Sequence, residues 1–317
     1  MERIPATVLT GCLGAGKTTL LNRLLEAEDS HRYAVIVNEI GSIGIDGDLV
    51  RRADEELLEM NNGCVCCTVR GDLIRTIRRL LGSEREFDGL LIETTGLAMP
   101  APVAQSFFVD PAIRSAVRLD SITAVVDALN IDWQLEHRPE AAEQIAFADQ
   151  LIVSKTDRVG VEDVNRVLAT LSRRNTVARL LLMQDLLDDP GRILGRGGFD
   201  LERIGEDLES LRVDGIFHDH EIMTVALESD KAMDAERVSA WLQRLVLERG
   251  GDILRAKGFV RVADDQRPLV FQSVHMLLEG DFAPEWPGGR DPMTRLVLIG
   301  RNLDQDALVR ELEDCVG

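Results

Sequence analysis

The chain lacks most of the features that would place it in a membrane, on nucleic acid or outside the cell. No apolar run approaches the roughly 18 residues that a membrane-spanning helix needs. The start Met1-Glu2-Arg3-Ile4-Pro5 has no basic stretch followed by an apolar one, so no secretory signal is expected. Positive charge is scarce: 36 Lys and Arg stand against 55 Asp and Glu, a formal net charge of −19. Such a surface repels phosphate backbones and anionic headgroups, which argues against nucleic acid and membranes as partners. Cysteine is sparse as well, and its five residues do not form the spaced, even-numbered framework of a disulfide scaffold. Internal repeats and low-complexity tracts are absent. A cytoplasmic location is the simplest expectation.

What is present reads as a globular chain, 45% hydrophobic and 29% charged, whose 317 residues suffice for two domains with separate cores. Apolar β-type runs at 6–10, 34–38, 89–93, 122–127 and 150–154 alternate with stretches of helical spacing, the pattern of a doubly wound, mostly parallel α/β sheet. Leu20, Leu21, Leu24 and Leu25 predict a helix over 18–26. A further helix is expected near 161–171 and a strand near 180–183. Asp188-Asp189-Pro190-Gly191 and the glycines at 195–198 then shift the composition towards a linker. Strands at 222–227, 259–262, 269–274 and 295–300, with a helix at 235–248, predict a smaller α+β domain with an antiparallel sheet. The expected division is a nucleotide-binding domain at 1–187, a linker at 188–217 and a C-terminal domain at 218–317.

The run Gly11-Cys12-Leu13-Gly14-Ala15-Gly16-Lys17-Thr18 matches a phosphate-binding loop at every fixed position, with a strand before it and a helix after it. Its glycines let backbone N–H groups turn inward around a phosphate at a helix N-terminus. Gly11, Gly14, Ala15, Gly16, Lys17, Thr18 and Thr19 are therefore the expected phosphate contacts, with Lys17 on the β- and γ-phosphates and Thr18 on Mg²⁺. Leu90-Leu91-Ile92-Glu93-Thr94-Thr95-Gly96 delivers an acid to the sheet's C-terminal edge, where Glu93 would hold Mg²⁺ through water or position the attacking water. Gly96 leaves backbone room for a γ-phosphate. Lys17, Thr18 and Glu93 are the expected catalytic group. The glycine-punctuated segment 38–46, which includes Glu39, lies where nucleotide-sensing switches occur.

Ser154-Lys155-Thr156-Asp157 follows an apolar strand and addresses the base. A carboxylate at Asp157 can accept from guanine N1–H and its exocyclic amine, whereas adenine offers neither, and such pairings reject the wrong ligand by roughly 10⁴-fold. GTP is the expected nucleotide, although the usual tetrad begins with Asn rather than Ser. A solvated helix start is the bland alternative for Lys155 and Asp157.

Cys64-Val65-Cys66-Cys67 offers a metal three thiolates, one fewer than a closed structural zinc site, as transfer or sensing would require. In an extended backbone Cys64 and Cys66 share a face, and Cys67 joins them only through the turn that Asn61-Asn62-Gly63 permits. Soft sulfur ligation admits Zn²⁺ or Cu⁺ readily, and Co²⁺ with lower affinity than Zn²⁺. Catalytic thiols and buried structural cysteines compete with this reading. His218-Asp219-His220 is a weaker metal candidate, since solvated or capping histidines have the same pattern; Cys12 and Cys315 read as small filler, and His275 as a residue at the core's edge.

With these motifs in this order, the chain resembles the CobW family of P-loop GTPases. The segments Leu254-Arg255-Ala256-Lys257-Gly258 and Val270-Phe271-Gln272-Ser273-Val274-His275 extend the likeness into the family's C-terminal domain. The resemblance implies a GTP-hydrolysing metallochaperone that binds Zn²⁺ or Co²⁺ at the three cysteines and passes it to a client metalloprotein. A nucleotide-dependent homodimer is compatible with it. Two departures stand out: Ser42 replaces the carboxylate that commonly ends the family's switch segment, so that role is not transferred, and the His-rich tract of some members is missing. Glu39 does match, as a further ligand for Mg²⁺ or the transferred metal. A nucleotide-gated client-binding protein with a structural zinc, and a P-loop small-molecule kinase, are the rival readings.

Overall fold

A computed structural model describes residues 3–27, 32–39, 57–61, 67–83, 86–186, 189–197, 222–286 and 291–317. The chain divides into two compact units, Met1–Leu171 with Ala178–Gly198, and Ser172–Val177 with Phe199–Gly317.

The first unit alternates strand and helix: β1 (Ile4–Thr10), α1 (Lys17–Ala27), β2 (Tyr33–Glu39), β3 (Leu57–Asn61), α2 (Cys67–Leu81), β4 (Gly89–Glu93), α3 (Pro100–Val109), α4 (Pro111–Ala116), β5 (Val117–Asp127), α5 (Ile131–His137), α6 (Pro139–Phe147), β6 (Gln150–Ser154), α7 (Val161–Arg174) and β7 (Arg179–Leu182). The strands form one sheet in the order β3-β2-β4-β1-β5-β6-β7, every neighbouring pair parallel. Parallel strands need crossovers that cover both faces, so their side chains are apolar on both sides. Val125 and Ile152 face the cluster that holds Leu20, Leu21, Leu24 and Leu25 of α1. Their chain neighbours Ala124, Val126, Leu151 and Val153 point the other way, against Ile145, Val167 and Leu171. Truncating one of the buried leucines of α1 to alanine would cost about 2–5 kcal/mol. The parallel arrangement also collects the turns after β1, β4, β5 and β6 along one sheet edge, where open α/β sheets bind ligands.

Helix α4 starts at a built cap. Asp110 accepts from the amides of Ala112 and Ile113 at 3.0 and 3.1 Å and pairs with the Arg78 guanidinium at 2.7 Å, which ties the last turn of α2 to the α3–α4 joint. The segment 189–197, linker-like by composition, is partly packed: Ile193 is buried against the core of α1, and its carbonyl accepts from Gln150 Nε2 at 2.8 Å.

The second unit contains β8 (Met223–Ser229), α8 (Ala235–Arg249), β9 (Ile253–Val260), β10 (Leu269–Val274), β11 (Leu277–Phe282), β12 (Thr294–Gly300) and α9 (Gln305–Glu313). Its sheet is antiparallel, in the order β11-β10-β9-β12-β8. Helix α8 buries Val238, Trp241, Leu242 and Leu245 against Leu296, Leu298, Phe271 and Val225. Asp234 and Asp304 cap the two helices. Glu311 of α9 receives both the Trp241 indole N–H and the Arg249 guanidinium, each at 2.8 Å, so α8 and α9 are joined by a polar clamp as well as by packing. His275 lies in the β10–β11 turn with φ of 54°.

Several elements extend past the apolar runs that announce them. Strand β9 begins at Ile253, because Arg255 and Lys257 interrupt the apolar pattern yet are themselves buried in the strand. Strand β3 is short and carries Glu59, β11 has its apolar residues interrupted by Glu279-Gly280-Asp281, and neither α2 nor α9 follows a long apolar stretch. Among the described residues no helix is long and apolar enough to cross a membrane.

Candidate functional site

The phosphate loop leaves β1 at Thr10 and enters α1 at Lys17. Gly11 has φ of +132°, and a Cβ there would lie 2.2 Å from the Val125 carbonyl oxygen, so no other residue fits between the loop and β5. Lys17 is buried, and its ammonium donates to the carbonyls of Gly11 at 2.9 Å and Cys12 at 3.2 Å. The cation thus sits in the loop it would use to hold phosphates. Burial pushes the Cys12 thiol above its ordinary value, against the pull of the Lys17 charge.

Strand β4 lies beside β1 with Glu93 opposite Leu9 in register. This pairing puts the Glu93 carboxylate next to the first turn of α1, where Thr18 Oγ1 donates to Glu93 Oε1 at 2.8 Å. Two hard oxygen donors at the phosphate loop suit Mg²⁺, which takes few protein ligands and completes its shell with phosphate and water. The Thr94 amide then donates to the Leu9 carbonyl at 2.9 Å and holds the chain beyond β4 against β1. Gly96 lies directly on the phosphate loop: a Cβ there would sit 2.3 Å from the Leu13 amide nitrogen.

The base-side turn is equally constrained. Ser154 is buried at the end of β6, and its hydroxyl lies 2.6 Å from the Ala15 carbonyl and 3.2 Å from that of Val126. Lys155 adopts the left-handed conformation, φ 57° and ψ 27°, and its ammonium pairs with Asp127 Oδ2 at 2.7 Å. Asp157 follows in a 3₁₀ turn, Thr156–Arg158, with its side chain exposed.

Two residues at this edge escape sequence reasoning. Asp127, 1% exposed at the end of β5, receives Lys155, the Leu129 amide at 3.0 Å and Asn130 Nδ2 at 2.7 Å. Gln144, 2% exposed on α6, donates to the carbonyls of Gly96 at 3.3 Å and Ala98 at 3.1 Å, while its Oε1 faces the Cys12 thiol at 3.7 Å. Gln144 therefore joins the phosphate loop to the loop after β4. Neither residue belongs to a recognisable spacing; their meaning comes from partners distant in sequence.

The candidate residues of the phosphate and base motifs thus meet at one edge of the sheet. Of the metal candidates, Cys64 and Cys66 lie outside the described residues, as do Ser42, His218 and His220. Cys67 opens helix α2, so its backbone is helical and not extended, because Leu73, Ile77 and Leu80 give the following chain a buried helical stripe. Its side chain, and that of Glu39 at the end of β2, lie outside the description. Among the described residues no group of three or more His, Cys, Asp or Glu could hold a metal ion.

Comparison with known proteins gives two family matches in tandem: the CobW/HypB/UreG nucleotide-binding domain over residues 5–181, and the cobalamin synthesis protein cobW C-terminal domain over 222–316. The zinc chaperone YjiA of Escherichia coli is 32% identical, with 97% of each chain covered. The zinc chaperone CobW of Pseudomonas aeruginosa is 33% identical over 98% of this chain and 91% of its own. The zinc-regulated GTPase metalloprotein activator 1 of Schizosaccharomyces pombe is 33% identical over 96% of this chain and 84% of its own. Crystal structures of Zn(II)-bound YjiA GTPase from E. coli and of a Zn(II)-bound triple mutant superpose over the whole chain, with TM-scores of 0.79 and 0.81 at 26% and 28% identity.

Proposed function

This chain belongs to the CobW family of P-loop GTPases, and from that premise we propose that it is a zinc metallochaperone in which Cys64, Cys66 and Cys67 hold the cargo ion and the nucleotide state sets how tightly. It is a GTPase, and the names of its relatives, zinc chaperone and zinc-regulated metalloprotein activator, support zinc as the cargo. Co²⁺ would bind the same thiolates more weakly. The recipient would be a client metalloprotein in the cytoplasm, with nucleotide-dependent self-association compatible with the cycle.

The observation that carries the coupling is topological. Strand β3 ends at Asn61 and helix α2 starts at Cys67, so the stretch bearing the cysteines departs from the same sheet edge as the phosphate loop and the Glu93 turn. Glu39, at the end of β2, stands in register with Asn61. A change of phosphate occupancy at Gly96 and a change of thiolate geometry beyond β3 would thus act on strand ends of one sheet edge, with β2 and its Glu39 between them.

For hydrolysis, Lys17 would exchange its two carbonyl partners for the β- and γ-phosphate oxygens. Thr18, by donating its proton to Glu93, keeps its own lone pairs for a cation. Mg²⁺ held by Thr18, and through water by Glu93, would supply charge stabilisation as the phosphoryl group leaves. Glu93 would orient water on the γ side, and the Gly96 backbone, packed on the phosphate loop, would leave room there for the transferred group. These roles rest on position more than on covalent chemistry.

The test is a titration of Zn²⁺ and Co²⁺ into the protein with GDP and with a non-hydrolysable GTP analogue. Coupling between sites of this kind is worth about 1–3 kcal/mol, so the two states should differ about 5- to 150-fold in metal affinity. Replacing Cys64, Cys66 and Cys67 together with alanine should abolish the difference. Equal affinities in the two states would remove the coupling.

A further inference from the structure

Helix α2 opens at Cys67, and two of its arginines tie it to the helix beside it. Arg70, in the first turn, donates through Nη1 to Gln105 Oε1 of α3 at 3.3 Å. Arg78, in the last turn, pairs at 2.7 Å with Asp110, the residue that ends α3. The two ties are about 12 Å apart along α2 at 1.5 Å of rise per residue, and both step forward along both helices, so α2 and α3 run in the same direction. Between the ties α2 packs on α3, with Leu73, Ile77, Val103, Ala104 and Phe107 all buried. Apolar packing has no preferred direction, whereas a hydrogen bond fixes one. The register of the two helices is therefore set by their polar ties.

The start of α3 belongs to the nucleotide side. Met99 is its N-cap and Pro100 its first residue, so the helix follows the γ-side loop without a spacer. That loop is fixed at several points: Glu93 receives Thr18, Gly96 lies against Leu13, and Gln144 donates to the carbonyls of Gly96 and Ala98. The Ala98 amide donates to the Thr95 carbonyl at 3.1 Å, a tight turn that leaves little slack between Gly96 and α3. A phosphate that displaces Gly96 would displace the first turn of α3 with it.

We propose that Arg70 and Gln105 are a positioning pair through which γ-phosphate occupancy reaches the zinc thiolates: α3 takes up the displacement of the loop after β4, and Gln105 passes it to the first turn of α2, the turn that Cys67 opens. Arg78 and Asp110 hold the far end of α2 as the pivot. The inference rests on the reading that Cys64, Cys66 and Cys67 hold zinc with an affinity set by the nucleotide.

Gln105→Ala removes the acceptor and leaves the buried seam and the Arg78–Asp110 pair in place. The readout is the ratio of the Zn²⁺ dissociation constants with GDP and with a non-hydrolysable GTP analogue, taken larger over smaller. A hydrogen bond is worth a factor of about 3 to 10, so the wild-type ratio should shrink towards one by that factor in Gln105→Ala and in Arg70→Ala, while GDP affinity without metal stays within about twofold. The double variant should lose no more than either single one, since both remove the same contact. Gln105→Glu, which meets the Arg70 guanidinium with a charge, should keep the ratio at or above wild type. Linkage requires the same shrinkage when the affinity for the GTP analogue is measured with and without Zn²⁺. A contact needed only for the stability of α2 would weaken zinc equally in both states and keep the ratio, which would overturn the proposal. A ratio lost in Gln105→Glu as fully as in Gln105→Ala would overturn it as well. A wild-type ratio of one sinks the nucleotide-dependent reading itself and this contact with it, whereas a larger wild-type ratio that survives Gln105→Ala sinks the contact alone.

Discussion

Replacing Gly96 with alanine perturbs the site by one methyl group at its tightest point. The added carbon would lie 2.3 Å from the Leu13 amide nitrogen, 2.6 Å from its Cα and 2.9 Å from its Cβ, against 3.4–4 Å for ordinary contact. The first two are backbone atoms, so no rotamer change relieves the overlap. Either the phosphate loop or the loop after β4 must move by about 1 Å. Overpacking on this scale costs about 1–3 kcal/mol, and a unit of this size loses about 2–4 °C in melting temperature for each of those kilocalories. A displacement of about 1 Å between phosphate loop and γ-side backbone also costs about 10²-fold in the chemical step. Single-turnover GTP hydrolysis, GDP affinity and thermal melting separate the two consequences: hydrolysis should fall about 10²-fold while GDP, which lacks the γ-phosphate, binds within a few-fold of wild type. Hydrolysis within threefold of wild type would show that the contact is not part of the catalytic geometry, and the role assigned to Gly96 would have to be given up.

Two more outcomes follow from contacts already described. Glu93→Gln keeps the shape of the partner of Thr18 but removes its charge, so the Mg²⁺ concentration needed for half-maximal hydrolysis should rise about 10- to 100-fold; an unchanged Mg²⁺ titration would disconnect Glu93 from the cation. At Asp110, burial alone would raise the carboxyl pKa, but the Ile113 amide, the Arg78 guanidinium and the Ala112 amide together hold it below the ordinary 3.8. A folded-state value below the unfolded one means that the stabilisation is complete above pH 3.8 and is lost as the pH falls through the folded value. Asp110→Ala should therefore cost about 1 kcal/mol in urea unfolding at pH 7, with the gap to wild type closing below the ordinary carboxylate range, and a gap independent of pH would contradict the ion pair.

The phosphate loop was legible because its chemistry is local: glycines at fixed intervals, a strand before and a leucine-striped helix after. Strands β4, β6 and β10 begin and end where the sequence places them, because Leu, Ile, Val and Phe dominate each run and the polar Gln150, Ser154, Gln272 and Ser273 are buried beside them. Strand β9 was half hidden for the opposite reason, since Arg255 and Lys257 are charged residues inside a buried strand. The tetrad could be recognised from Lys155 and Asp157, but the work of Ser154 could not, because its partner Ala15 becomes a neighbour only when β1 and β6 join one sheet. Asp127 and Gln144 are silent in sequence on the same grounds: each makes sense through the loops it joins. The cysteines were found from their spacing alone, and their side chains lie outside the described residues.

Strand β3 stands last in the sheet order, and its described ladder is the five-residue register with β2. A border strand can peel away at the cost of one ladder, whereas releasing β1 or β4 would split the sheet in two. Local opening of a protein draws on such weakly tethered pieces long before global unfolding. Strand β3 can therefore part from β2 while β1 and β4, which carry the phosphate loop and Glu93, stay paired. Amides of β3 would exchange with solvent ahead of those in β1, so the sheet loosens first at the border strand and last at the strands that carry the phosphate loop.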